Sequence, residues 1–85
     1  MLFDPKNKNV IYQRLIYSRK RNHLSQQELA QRMQSYGLNV DQHAISKIER
    51  NSRAVSDLEL LGFCRALGVQ PQWLLGEDLS KLEEH

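Results

Sequence analysis

Proline stands only at Pro5 and Pro71, so nothing between them removes a backbone donor from a helical hydrogen-bond ladder. Two runs in that interior have the form Ser-x-x-Glu, namely Ser25-Gln-Gln-Glu28 and Ser56-Asp-Leu-Glu59. In such a capping box the Ser oxygen accepts from the amide three residues on, and the Glu carboxylate reaches back to the Ser amide. Each run therefore marks a helix start. No segment alternates strictly between apolar and polar residues, which leaves no candidate strand and predicts an all-α fold.

Five helices can be placed. Ile11, Leu15 and Ile16 follow Asn9, a suitable N-cap, and predict a first helix over residues 10–21. Asn22 and His23 both tolerate the left-handed conformation that ends it. The second helix starts at Ser25, turns Leu29, Ala30, Met33 and Tyr36 inward, and stops at Gly37. Leu38 and Val40 lead to Asp41, which is placed to cap a third helix over residues 42–50. Residues 51–55 have the composition of a loop. The fourth helix covers residues 57–67 and ends at Gly68, and Pro71 opens a short fifth helix with Trp73, Leu74 and Leu75. The domain is thus expected over residues 10–76, after an N-terminal arm of residues 1–9 and before an acidic C-terminal tail of residues 77–85.

Length and composition exclude several classes. A chain of 85 residues and 10.0 kDa has room for one domain, and its 40% hydrophobic content is that of a globular protein. The longest apolar or glycine run, residues 60–64, is far short of the roughly 20 residues of a membrane span. Asp4 and Pro5 interrupt the N-terminus before an apolar leader could form, so no membrane association and a cytoplasmic location are expected. Cys64 cannot form an internal disulfide and, on the apolar face of the fourth helix, reads as a core filler rather than a nucleophile. His23, His43 and His85 are scattered, and the four glycines are read as single residues at element ends. No metal, no other cofactor and no enzymatic activity are expected.

Net charge is +2, but its distribution is uneven. Residues 1–53 hold ten Lys and Arg against four Asp and Glu, a balance of +6, and residues 54–85 hold two against six, a balance of −4. Such a chain presents a positive field to a polyanion from one side. The third helix divides in the same sense. Ile45, Ile48 and Glu49 share one face, and His43, Ser46, Lys47 and Arg50 share the other. The outward face carries hydrogen-bonding and cationic groups and no carboxylate, which suits a helix laid in the major groove of DNA, with Gln42 and His43 leading toward base edges. Arg19 and Glu49 each fall on an inward stripe. A lone buried charge costs several kcal/mol, so these two are expected to pair.

The run Leu24-Ser-Gln-Gln-Glu-Leu-Ala30, then Ile45-Ser-Lys-Ile-Glu-Arg50, Arg65-Ala-Leu-Gly-Val69 and Trp73-Leu-Leu-Gly76 resembles the Cro/C1-type helix-turn-helix family of bacterial and phage transcriptional regulators. The resemblance spans residues 12–76. It implies a five-helix, lambda-repressor-like DNA-binding domain with the second and third helices as the reading unit. On matching positions it implies a phosphate contact from Gln26 and base contacts from Gln42 and His43. It also implies Asp41, Ser46 and Lys47 at or beside the DNA, Arg50 and Arg53 flanking a loop near the backbone, and an Arg19 to Glu49 salt bridge. Two departures stand out. Residues 33–40 are about five longer than the family's usual connection, which is read as an extra helical turn at residues 34–36. Asp41 replaces the more usual Ser or Thr, and its role is expected to be the cap.

Leu58, Leu60, Leu61, Phe63, Cys64 and Leu67 cover more of the fourth helix than one core-facing stripe requires. This predicts a homodimer through the fourth and fifth helices, bound to a palindromic operator in double-stranded DNA, most simply as a repressor. The alternative is a protein-interaction module, such as an antitoxin or scaffold, with weak or no DNA binding. Asp41 and the lengthened connection favour that alternative, and the basic half of the chain opposes it.

Overall fold

The computed structural model describes residues 4–76, so the expected acidic tail lies outside the described residues. Within that span every regular element is helical: α1 Tyr12–Arg21, α2 Gln26–Ser35, α3 Gln42–Glu49, α4 Asp57–Leu67 and α5 Pro71–Leu74. Both capping boxes close, Ser25 with Glu28 and Ser56 with Glu59. Asp41 caps α3 by accepting from the Ala44 N–H at 2.8 Å. The helix exits are less uniform, since His23 and Asn51 take positive φ alongside Gly37 and Gly68.

Asn9 departs from its expected role. The helix begins at Tyr12, and the residue before it, Ile11, has no side-chain cap. Asn9 is instead a buried hub: its Oδ1 accepts from the Ile11 N–H at 3.0 Å, and its Nδ2 donates to the carbonyls of Ile48 at 3.1 Å and Arg53 at 3.0 Å. The two carbonyl partners lie some forty positions away in sequence, which a reading of local capping signals does not reach.

The core is formed by Ile11 and Leu15 of the first segment, Leu29 and Met33 of α2, Val40, Ile45 and Ile48 around α3, Phe63 and Leu67 of α4, and Leu74 of α5. α2 packs on α3 and α4, α1 packs on α3, and α5 closes against α4. Tyr36, expected inward, is exposed at the C-cap of α2, where the Arg65 guanidinium lies 5.9 Å from its ring centroid. The lengthened connection turns at Gly37 (φ 82°), and Leu38 packs back against the core in place of Tyr36.

That packing explains the one glycine not at an element end. Gly62 lies inside α4 and is buried. A methyl group there would collide with Leu38 Cδ1 and stand 3.0 Å from Met33 Cε. The missing side chain is the seat on which the α2–α3 connection rests, and it offsets the roughly 1 kcal/mol by which glycine disfavours a helix.

The charged contact between α1 and α3 is bidentate. Arg19 Nε donates to Glu49 Oε2 at 2.6 Å and Nη2 donates to Oε1 at 3.0 Å, with side-chain exposures of only 12% and 7%. Arg19 Nη1 also donates to the Leu24 carbonyl at 2.9 Å, and Gln26 Nε2 donates to Glu49 Oε1 at 3.0 Å. One ion pair thus joins α1, the start of α2 and the end of α3.

Two stability measurements follow. In urea unfolding, Arg19→Ala should cost about 3–5 kcal/mol, because it strands a buried carboxylate. A loss under about 1 kcal/mol would place the pair among solvated ones. Gly62→Ala should cost roughly 1–2 kcal/mol by overpacking, and in a Leu38→Ala background the same change should turn neutral or stabilising. Equal costs in both backgrounds would contradict the seat assigned to Gly62.

Candidate nucleic-acid interface

Eight residues make a helix too short to hold its shape in water without packing, so α3 is fixed by what lies beneath it. Ile45 and Ile48 are fully buried and Glu49 is locked by Arg19, which leaves the remaining faces turned out. Gln42, His43, Lys47 and Arg50 are exposed, and Ser46 is half-buried. The Arg50 Nη1 donates to Ser46 Oγ at 2.7 Å, so these two side chains lie together along the outer surface. No carboxylate projects from that surface: Asp41 is engaged at the cap and Glu49 on the opposite side.

Among the described residues the ion pairs are Arg19 with Glu49 and Arg53 with Glu59. Lys47 and Arg50 therefore carry charge that no described residue neutralises in an ion pair. The seven residues singled out for DNA contact thus divide by environment. Gln42, His43, Ser46, Lys47 and Arg50 come together on one surface of α3. Gln26, at the start of α2, turns its amide nitrogen to Glu49. Arg53 is clamped to Glu59 by two hydrogen bonds of 3.0 Å, and its Nη1 also reaches the Ala54 carbonyl at 3.0 Å.

The Arg53 clamp sets two ionisations. Hydrogen bonding to Arg53, aided by the Ser56 amide, holds the Glu59 carboxyl below its usual range against the cost of burial, and Glu59 raises Arg53 in return. Because the folded value of Glu59 is depressed, its stabilising contribution is present above the ordinary carboxylate pKa and is lost as pH falls through the folded value. Burial pushes the Cys64 thiol up, away from the thiolate a nucleophile needs.

One cluster went unseen in the sequence. Asn51, in the left-handed conformation just past α3 (φ 57°), accepts at Oδ1 from the Lys8 N–H at 2.9 Å and the Asn9 N–H at 3.1 Å. Its Nδ2 donates to Asn7 Oδ1 at 2.7 Å. The N-terminal arm is therefore fastened to the C-terminal end of α3. The only local signals are an Asn suited to positive φ and the Asn7 and Asn9 pair at alternate positions.

Comparison with known proteins agrees with this geometry. A family model described as helix-turn-helix matches residues 15–74. The restriction-modification controller protein C.AhdI from Aeromonas hydrophila is 34% identical in sequence, with a TM-score of 0.65 over 75% of this chain and 86% of that one. A hypothetical transcription factor, NHTF from Neisseria, is 26% identical, with a TM-score of 0.70 over 100% of this chain and 93% of that one. No curated protein sequence matches the chain. With α2 and α3 as the paired helices and the match running from α1 to α5, the chain belongs to the Cro/C1-type helix-turn-helix family of transcriptional regulators.

Proposed function

We propose that the chain is a sequence-specific regulator of transcription, a repressor in its simplest form, that lays α3 in the major groove of double-stranded DNA. The observation that carries this reading is the outward face of α3, cationic and free of carboxylates, above a face that is fully buried. Gln42 and His43 lead into the groove, where an amide matches the donor and acceptor pair of adenine and a ring nitrogen can reach a base edge. Lys47 and the Ser46 hydroxyl follow one turn on, and Arg50 closes the face toward the backbone. Gln26 and Arg53 flank this surface at the start of α2 and after α3. Their carboxylate partners make them backbone contacts of second rank. A regulator of this kind acts in the cytoplasm on the nucleoid and requires no cofactor.

Asp41, the residue that most favoured a purely protein-binding role, is spent on the cap of α3. The burial pattern favours α4 over α5 as the centre of the expected dimer contact. On α5, Leu74 is fully buried, and Trp73 is half-buried under Arg14, whose guanidinium carbon is 5.1 Å from the ring centroid. The open apolar groups of α4 are Leu58 (65% exposed) and Leu61 (56% exposed), beside Tyr36. They border one groove with Leu38, Val69 and Pro71. A patch of this kind on a small domain calls for a partner, and a second copy meeting it about a two-fold axis would place two α3 helices on half-sites roughly 34 Å apart.

Selection of bound duplexes from a random pool should return a palindrome. Gln42→Ala and Lys47→Ala should each relax base preference at defined positions by about 1–3 kcal/mol, and Arg50→Ala should weaken all duplexes by a similar factor. Equal losses on every sequence for all three variants would contradict base reading by α3. In sedimentation, Leu58→Asp with Leu61→Asp should leave a monomer. A parent chain that is monomeric at tens of micromolar, with and without DNA, would contradict the dimer.

A further inference from the structure

The two ends of α3 are held by different forces. At the C-terminal end Glu49 is fixed by Arg19, and the Ile48 carbonyl accepts from Asn9 Nδ2 at 3.1 Å. The Lys47 carbonyl accepts from both the N–H and the Oγ of Ser52, each at 2.9 Å. At the leading end there is no ion pair among the described residues, and Asp41 serves the first turn of the helix itself. The segment entering the helix is anchored by apolar contacts, through Val40, fully buried, and Leu38, half-buried.

Leu38 has a narrow seat. α3 packs chiefly on α1 and α2, whereas Leu38 rests on α4, where Gly62 offers a bare Cα. A Cβ at position 62 would overlap Leu38 Cδ1 and stand 3.0 Å from Met33 Cε and 3.2 Å from Met33 Sδ. The Leu38 backbone is tied on both sides: its N–H donates to the Met33 carbonyl at 3.1 Å, and its carbonyl accepts from the Val40 N–H at 3.0 Å. The Asp41 cap follows directly on Val40, and Gln42 opens the helix. A methyl group at position 62 would therefore force Leu38 either to push the connection off α4 or to swing into the groove it borders with Leu58 and Leu61. Either way the leading end of α3 loses its stop.

With its far end pinned, α3 responds to such a change as a lever. Eight residues at about 1.5 Å each make a rod about 12 Å long, so a shift at the entry moves Gln42 and His43 most and Arg50 least. A recognition group must be held within roughly 0.5 Å of its productive position to discriminate, and a shift on the scale of a methyl group exceeds that. Building on the DNA-binding reading above, we infer that Gly62 and Leu38 are positioning residues for base recognition: their contact sets the tilt of α3 and so decides which base edges Gln42 and His43 meet. Neither residue touches nucleic acid. The lengthened connection, a departure from the usual pattern of the family, is matched on α4 by a glycine and takes a part in specificity.

Base-preference profiles, obtained by selecting bound duplexes from a random pool, separate this role from a purely structural one. Gln42→Ala identifies the base positions read by the leading end, and Lys47→Ala those read one turn on. Gly62→Ala should lower the preference at the leading positions by on the order of tenfold. It should leave the Lys47 positions, and affinity for a random duplex, within about twofold of the parent. Leu38→Ala should give the same pattern, and adding Gly62→Ala to it should change the profile by less than about twofold, because the methyl group then has room. Should Gly62→Ala fail to fold, Leu38→Ala tests the same seat. Equal losses at every position and on the random duplex would make both residues merely structural and overturn the inference, as would full additivity of the two changes. A parent with clear preferences that neither variant alters overturns the inference alone. A parent with no preference at any position overturns base reading by α3 and the inference with it.

Discussion

A carboxylate and a guanidinium removed from water within a small helical domain decide how the rest can be arranged. Glu49 sits at the end of α3 and Arg19 near the end of α1, and their bidentate contact admits one separation and one mutual orientation of the two helices. Gln26 and the Leu24 carbonyl take up further bonding capacity, so the start of α2 is tied in as well. Such a pair is weak evidence for net stability, since desolvation opposes the Coulomb attraction. Its value here is geometric. α3 is only eight residues long, and the buried stripe of Ile45 and Ile48 alone would let it roll. With Glu49 fixed, the side carrying Gln42, His43, Lys47 and Arg50 has one direction in which to point.

Electrostatics sharpen that division. Carboxylates around α2 and α3 are engaged within the fold: Asp41 and Glu28 at helix caps, Glu49 on Arg19, Glu59 on Arg53. Lys47 and Arg50 of α3 form no ion pair among the described residues. Of the cations in the N-terminal half, these two lie on the outer face of α3, where a phosphate backbone could supply a partner.

Local chemistry was readable in the sequence, and long-range chemistry was not. The Ser25 and Ser56 capping boxes, the Asp41 cap and the extra turn before Gly37 each depend on residues within four positions, so composition and spacing located them. The Arg19 to Glu49 pair was also legible, because two charges on apolar stripes have few other solutions. Asn9 misled because asparagine suits an N-cap, whereas its partners Ile48 and Arg53 come from across the domain. Gly62 was missed for the same kind of reason. Its role exists only because the lengthened connection brings Leu38 onto α4, and that approach also displaced Tyr36 outward. The neutralisation of Arg53 by Glu59 and the fastening of the arm by Asn51 are likewise products of chain topology. The helices and the outward face of α3 could be named from periodicity, but the environments of Gln26 and Arg53 could not.

The proposed function requires one face of α3 to meet nucleic acid while the opposite side remains in the core. Titrating the isotopically labelled protein with a duplex and following each backbone and side-chain amide by NMR tests it most directly. The largest changes should fall on Gln42, His43, Ser46, Lys47 and Arg50, with the Ile45 and Ile48 amides still protected from hydrogen exchange. Changes centred on Leu58 and Leu61, with α3 silent at saturating duplex, would contradict it.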